Sequence, residues 1–131
     1  MDLTALHGYI IGIASIGIWA VVALWALVLR LARREETPTF WRAVSVAQIL
    51  LVVQLVIGLV LLAMGRRPGG GGAFNVSFHL LYGAGFPLIV LIVGHKWSRD
   101  GRYNPHTIFS VVGLVIFALA LRGYLVGIHG T

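Results

Sequence analysis

The sequence predicts an all-α integral membrane protein, a bundle of four transmembrane helices. Of its 131 residues, 59% are hydrophobic and only 11% are charged, and the mean hydropathy is +0.94. These values lie far outside the range of soluble globular domains. Four apolar stretches of about 20 residues or more nearly exhaust the chain, so we treat residues 1–131 as one membrane domain.

Short connections join the four predicted spans. Small residues recur at every third or fourth position of the first span, at Gly8, Gly12 and Ser15, and form a face on which helices pack closely in lipid. Four glycines follow the second span, and their composition predicts a flexible loop. In the third span, Pro87 predicts a kink because proline removes one backbone hydrogen bond. The spans cover about residues 6–30, 40–65, 74–94 and 107–128.

Basic residues indicate which side of the membrane is cytoplasmic. Seven Lys and Arg residues flank the spans at one end, against two at the other. The positive-inside rule therefore predicts a multi-pass protein of the inner (plasma) membrane with both termini and the glycine loop outside the cytoplasm. Because topology explains the net charge of +6, nucleic-acid binding is not expected. The seven are Arg30, Arg33, Arg34, Arg42, Lys96, Arg99 and Arg102, and the two are Arg66 and Arg67.

Several kinds of chemistry have no support in the sequence. The chain has no cysteine, which excludes disulfides, thiolate ligands, iron–sulfur clusters and c-type haem attachment. No Ser-His-Asp set, carboxylate pair or metal-ligand cluster of known spacing occurs, so hydrolytic chemistry is not expected. A small transporter is disfavoured because neither paired broken helices nor an internal repeat is evident. We expect no catalysis by this chain alone.

An imidazole stands among residues that otherwise predict lipid-buried helix. His79 opens the third span, and a charged group at mid-helix costs roughly 2.5–3.5 kcal/mol on insertion scales, so such a residue suggests a functional site. We counted residues from the basic, cytoplasmic ends of the spans at a rise of about 1.5 Å per residue. On this count His79 and Arg122 both lie about 24–25 Å from the cytoplasmic edge, and Gln54 lies about 18 Å from it. This places the three side chains in one polar layer.

The arginine of this layer has no counter-charge in the sequence. The spans contain no Asp or Glu, so Arg122 is expected to face the bundle interior and an anion from a ligand or partner. Haem propionates, a lipid phosphate or a partner's carboxylate would serve. The alternative for Arg122 is that its long side chain extends to the outer interface. For Gln54 the alternative is a hydrogen bond between helices.

A second histidine, His7, opens the first span on the same side. Imidazole is a common ligand of haem iron, so His7 and His79 are candidate axial ligands of one haem b. Residue counting places His7 near 34 Å, an offset of about 9–10 Å from His79, which helix tilt of about 20° and the kink at Pro87 reduce. Alternatively, His7 is interfacial and His79 bonds a carbonyl, or both contact a quinone or other subunits.

Three features follow one another in an order found in a known family. They are His7, the run Gln48-x5-Gln54-x3-Gly58, and the pair His79-Leu80 at the start of the third span. The order resembles one four-helix half of the heme A synthase family, in which histidines that open alternate helices ligate a haem on the extracytoplasmic side. The resemblance implies that His7 and His79 are axial ligands.

The chain also differs from that family. The family has two such halves, loop cysteines and an acidic residue three positions before the first histidine, where this chain has one half, no cysteine and Thr4. These differences weigh against the family's oxidative chemistry and leave a haem-b-binding half-module.

The sequence therefore predicts a small haem-b-binding subunit of a respiratory or photosynthetic electron-transfer complex. In this interpretation His7 and His79 hold the iron, Arg122 offsets propionate charge and Gln54 lines the pocket. One alternative is a haem-free accessory subunit that packs against partner helices, and another is a subunit that lines a quinone site. A bound lipid is a further possible ligand. The expected partners are the lipid bilayer and other membrane subunits.

Overall fold

A computed structural model describes residues 1–130 as four long helices joined by short loops. All four are long and apolar enough to cross a membrane, which confirms the prediction of an all-helical chain with four span-length helices. They are α1 (Leu3–Leu31), α2 (Pro38–Ala63), α3 (Ala73–Arg99) and α4 (Pro105–His129).

The starts of three helices are set by local sequence. Pro38 and Pro105 occupy the first positions of α2 and α4, where proline loses no hydrogen bond that a helix would need. The side chains of Thr37 and Asn104 precede them and accept backbone N–H groups of the first turn. Asp2 caps α1 in the same way. These caps fix where each helix begins and so which residues share a level.

The helices follow one another around the bundle in the order α1, α2, α3, α4. Both α1 and α3 pack along α4, and α1 also packs along α2. Within the described chain, no Cα atoms of α1 and α3, or of α2 and α4, approach within 8 Å, so these pairs lie diagonally. Because α2 and α3 approach each other only around residues 81–85, that side of the bundle is loose.

Buried apolar side chains concentrate in the half of the bundle next to the α1–α2 and α3–α4 loops, here called the packed half. Trp19 and Phe109 are fully buried in it. A Cβ atom on Gly113 would lie 2.9 Å from the backbone nitrogen of Ala23, so the glycine lets α4 approach α1 closely. The core consists of Trp19, Val22, Ala26, Phe40, Val44, Ala47, Leu51, Leu91, Ile108, Phe109, Val112 and Ile116.

The glycine loop at the opposite end is folded against α4, although its composition predicts flexibility. Residues 68–70 form a 3-10 turn, and the Asn75 side chain donates a hydrogen bond to the Gly69 carbonyl. Gly69, Gly70 and Gly71 all have positive φ angles, a region that favours glycine. A side chain on Gly69 would also collide with the Val126 carbonyl. The glycine run is therefore required by the backbone path and by this close contact.

Replacing Gly113 with alanine tests the close packing of α1 and α4. We expect Gly113→Ala to lower the free energy of unfolding by about 1–3 kcal/mol, since the new methyl group forces backbone apart in a packed core. Gly17→Ala is the matched control, because a Cβ atom there meets nothing within 4 Å. The measurement is denaturant titration in detergent. Equal stability of the two variants would contradict the packing.

Candidate functional site

The half of the bundle next to the glycine loop, here called the hollow half, contains a partly open cavity of about 370 Å³. This volume falls within the range of about 300–1,000 Å³ typical of sites for organic ligands. All four helices and the glycine loop contribute to its wall, which is mostly apolar or glycine. Its lining includes His7, Gln54, Gly58, His79, Gly123 and Gly127.

The imidazoles of His7 and His79 meet inside this cavity. Their ring centres are 5.9 Å apart and the ring planes are inclined by 64°. The two residues come from α1 and α3, which lie diagonally, so the rings span the centre of the bundle. The expected offset of 9–10 Å in depth is therefore wrong.

The offset arose from counting residues from the wrong end. His7 lies four residues after Leu3, and His79 lies six residues after Ala73, where their helices begin. The difference of two residues corresponds to about 3 Å along a helix. Basic residues at the far ends mark an interface of finite thickness, so a count that starts from them does not fix relative depth.

Both histidines stand beside π-helical segments. One segment, Leu6–Gly12, contains His7, and the other, Leu81–Gly85, begins two residues after His79. The second segment ends two residues before Pro87, the position at which the sequence predicts a kink. Such wider turns are frequent at functional sites, and they also invalidate a count based on regular helical rise.

The His79 ring is held by α4. Its Nδ1 atom lies 2.8 Å from the carbonyl oxygen of Gly123, and since a carbonyl only accepts, Nδ1 is the donor. In the neutral ring, Nε2 then keeps its lone pair for another partner. Gly83 and Gly123 bring the two helices together, as a Cβ atom on Gly123 would lie 2.8 Å from the Gly83 nitrogen. Gly127 faces the ring itself, because a Cβ atom added there would lie 2.9 Å from Cε1 of His79.

The His7 ring is seated against α2. A Cβ atom on Gly58 would lie 3.1 Å from Cε1 of His7, so a larger residue would displace the ring. The backbone carbonyl of Gln54 is close by. Even so, His7 Nδ1 and Gln54 Oε1 are buried with no hydrogen-bond partner within residues 1–130. The hydroxyl of Ser15, which also lines the cavity, is a third such atom within residues 1–130. Buried polar atoms are nearly always paired, so these three atoms have hydrogen-bonding capacity to offer a ligand or water.

Arg122 does not face the cavity. Its side chain is exposed, and the buried side of α4 is the one that carries Gly123 and Gly127. The expectation that Arg122 points into the bundle is therefore wrong, because the glycine side of α4 is the one that packs. His129 is also exposed, at the end of the same helix.

Two other arginines line the cavity instead. Arg66 and Arg67, at the start of the glycine loop, are the only charged residues among the described residues that line it. In the sequence these two arginines indicated only the membrane topology, as the two basic residues at the less charged end of the spans. Their position directly before a glycine run that folds over the bundle end was the signal that could have identified them.

The donor set limits which metals the site could hold. Within residues 1–130, no three His, Cys, Asp or Glu side chains are grouped to hold a metal ion. A bare ion such as zinc takes three or four protein ligands, so two imidazoles alone do not make such a site. A haem supplies four ligands of its own and requires only axial ones.

The spacing of the rings fits axial ligation. A metal–imidazole bond is about 2 Å long, so two imidazoles that hold one iron must have ring centres more than about 4 Å apart. The centres observed here are 5.9 Å apart. The residues present therefore fit a haem iron held between His7 and His79.

Comparison with known proteins returned no match to this chain among protein-family models, curated protein sequences or solved structures. The likeness to heme A synthase thus stays a prediction from sequence motifs.

Proposed function

We propose that this chain is a small membrane subunit that binds haem b and serves electron transfer within a larger complex. The observation that carries the proposal is the pair of imidazoles from diagonal helices, 5.9 Å apart inside a cavity of about 370 Å³. The resemblance to a heme A synthase half leads to the same two histidines. When bound, haem supplies a one-electron change at iron, and the protein sets its ligands and surroundings.

The surroundings of His79 suit an axial ligand. Ligating histidines nearly always donate their second ring N–H to a carbonyl or carboxylate, which fixes the ring and makes the ligating nitrogen more basic. The Gly123 carbonyl is such an acceptor for His79. Gly58 and Gly127 leave room for the two rings, since a Cβ atom at either position would crowd the Cε1 atom of the neighbouring imidazole.

Arg66 and Arg67 would offset the propionate charge, the role predicted from the sequence for Arg122. They supply the cavity with positive charge at the glycine loop, and no acidic side chain lines it among the described residues. Arginine pairs well with carboxylates through its planar, bidentate donor groups. We assign the propionate end of the cofactor to this pair.

We further propose that the cavity faces the extracytoplasmic side of the inner (plasma) membrane. The support is the distribution of basic residues, seven against two, at the two ends of the spans. Partner subunits are supported by the burial of the helices. In an 18-residue apolar stretch of each helix, only 17% is buried in α2 and in α3, against 33% in α1 and in α4. The outer faces of α2 and α3 are therefore available to lipid or partner helices.

The histidine pair is tested by the absorption spectrum of the purified, dithionite-reduced protein. We expect the α-band of a b-type haem in the wild type, and its loss in His7→Ala and His79→Ala, because each removes an axial ligand. His129→Ala is the control, since His129 is exposed on α4. Haem is measured per chain by pyridine haemochrome.

Two outcomes would contradict this assignment. A wild-type protein isolated with its native partners but without a haem band would rule out the cofactor. A bound quinone found in organic extracts would then favour the second candidate, a quinone site, in which the unpartnered Gln54 Oε1 would accept a hydrogen bond from the hydroxyl of the reduced quinol. Equal loss of haem in His129→Ala would show that the ligands are assigned wrongly.

The arginine pair is tested by potentiometric titration of the bound haem. Loss of a nearby positive charge destabilises the reduced iron relative to the oxidised iron. Arg66→Gln and Arg67→Gln should therefore lower the midpoint potential and speed haem loss. Arg67→Lys should restore most of the potential because it keeps the charge. Arg122→Gln is the matched control, and a shift in that variant as large as in the others would contradict the assignment.

A further inference from the structure

A second opening lies in the packed half, on the loose side of the bundle. Beyond residues 81–85, α2 and α3 separate and leave a lateral groove of about 660 Å³. The groove is distinct from the histidine cavity, and the two share no lining residue. Its upper wall is apolar, with Val52 and Ile92 both exposed toward the surrounding medium.

The lower end of the groove is polar. Nε2 of His95 lies 3.2 Å from Oε1 of Gln48, and within the described chain this is the only side-chain hydrogen bond that joins α2 to α3. Since the amide oxygen accepts this bond, the NH₂ group of Gln48 remains a donor for another group. The His95 ring also packs on Phe109, with centres 5.1 Å apart, so the polar pair is held in place.

Charged groups border this polar end. Lys96 and Arg99 line it from the last turn of α3, and Asp100 lies next to them, which leaves one net positive charge. Exposed rings of Trp97 and Tyr103 lie nearby, 5.9 Å apart, as is typical of residues at a membrane interface. The groove thus combines an apolar wall at membrane depth with a cationic, hydrogen-bonding end at the interface.

We propose that this groove binds one anionic phospholipid of the cytoplasmic leaflet. The phosphate contacts Lys96, Arg99 and the Gln48 amide, and an acyl chain lies along the apolar wall past Ile92. Basic pockets between transmembrane helices on this side of the membrane are where anionic head groups bind. The net positive charge left by Lys96, Arg99 and Asp100 favours an anion over a neutral quinone ring. The lipid fills the gap between α2 and α3 and so supports the loose side of the bundle.

The test is lipid retention by the protein in nanodiscs of phosphatidylglycerol and phosphatidylcholine in equal parts. After extraction into detergent, native mass spectrometry counts the lipids that remain bound. We expect one phosphatidylglycerol per chain, and a loss of affinity of about five-fold in Arg99→Gln and in Lys96→Gln. Arg102→Gln removes the same charge outside the groove and should have no effect.

A second pair of variants tests the groove itself. Ile92→Trp fills the apolar wall and should abolish retention, whereas Ile89→Trp, also exposed on α3 but outside the groove, should not. Thermal unfolding of both variants identifies any loss of fold. Equal retention of the two lipids, equal effects of Arg99→Gln and Arg102→Gln, retention by a folded Ile92→Trp protein, or a quinone in place of the lipid would each overturn the proposal. None of these results depends on haem.

Discussion

The contact between His7 and His79 constrains the hollow half of the bundle. Half-buried polar rings among apolar helices need partners and space, and glycine supplies the space on both sides. Gly58 admits the His7 ring, and Gly127 admits the His79 ring. Gly123 contributes by its backbone, since its carbonyl fixes the ring of His79. A small set of residues with no side chains therefore determines where two imidazoles lie.

The two halves of the bundle differ in what they stabilise. The packed half buries Trp19, Phe109 and their neighbours and holds α1 against α4, so it anchors the helices. The hollow half lacks such a core and is closed by the glycine loop folded over α4. The buried apolar core lies in the packed half, and the cavity lies in the half without it. A bound ligand would supply contacts that the chain itself does not make there.

Hydropathy was sufficient to predict four helices of span length, and the rarity of intramembrane histidine was sufficient to single out His79. Relative depth could not be predicted, because the π-helical segments and uneven helix ends depend on tertiary packing. The orientation of Arg122 was also wrong, since only the packing of Gly123 on Gly83 reveals which side of α4 is buried. Arg66 and Arg67 were missed because the path of a glycine loop is not encoded in hydropathy.

Electron paramagnetic resonance of the oxidised, haem-loaded protein tests the central claim most directly, because it reports the ligands on the iron rather than the presence of haem. If His7 and His79 both ligate, the spectrum is that of a low-spin ferric haem with two imidazole ligands. A single substitution at either histidine would abolish this low-spin signal. A wild-type spectrum that is high-spin, or a low-spin spectrum that persists without His7, would contradict the account.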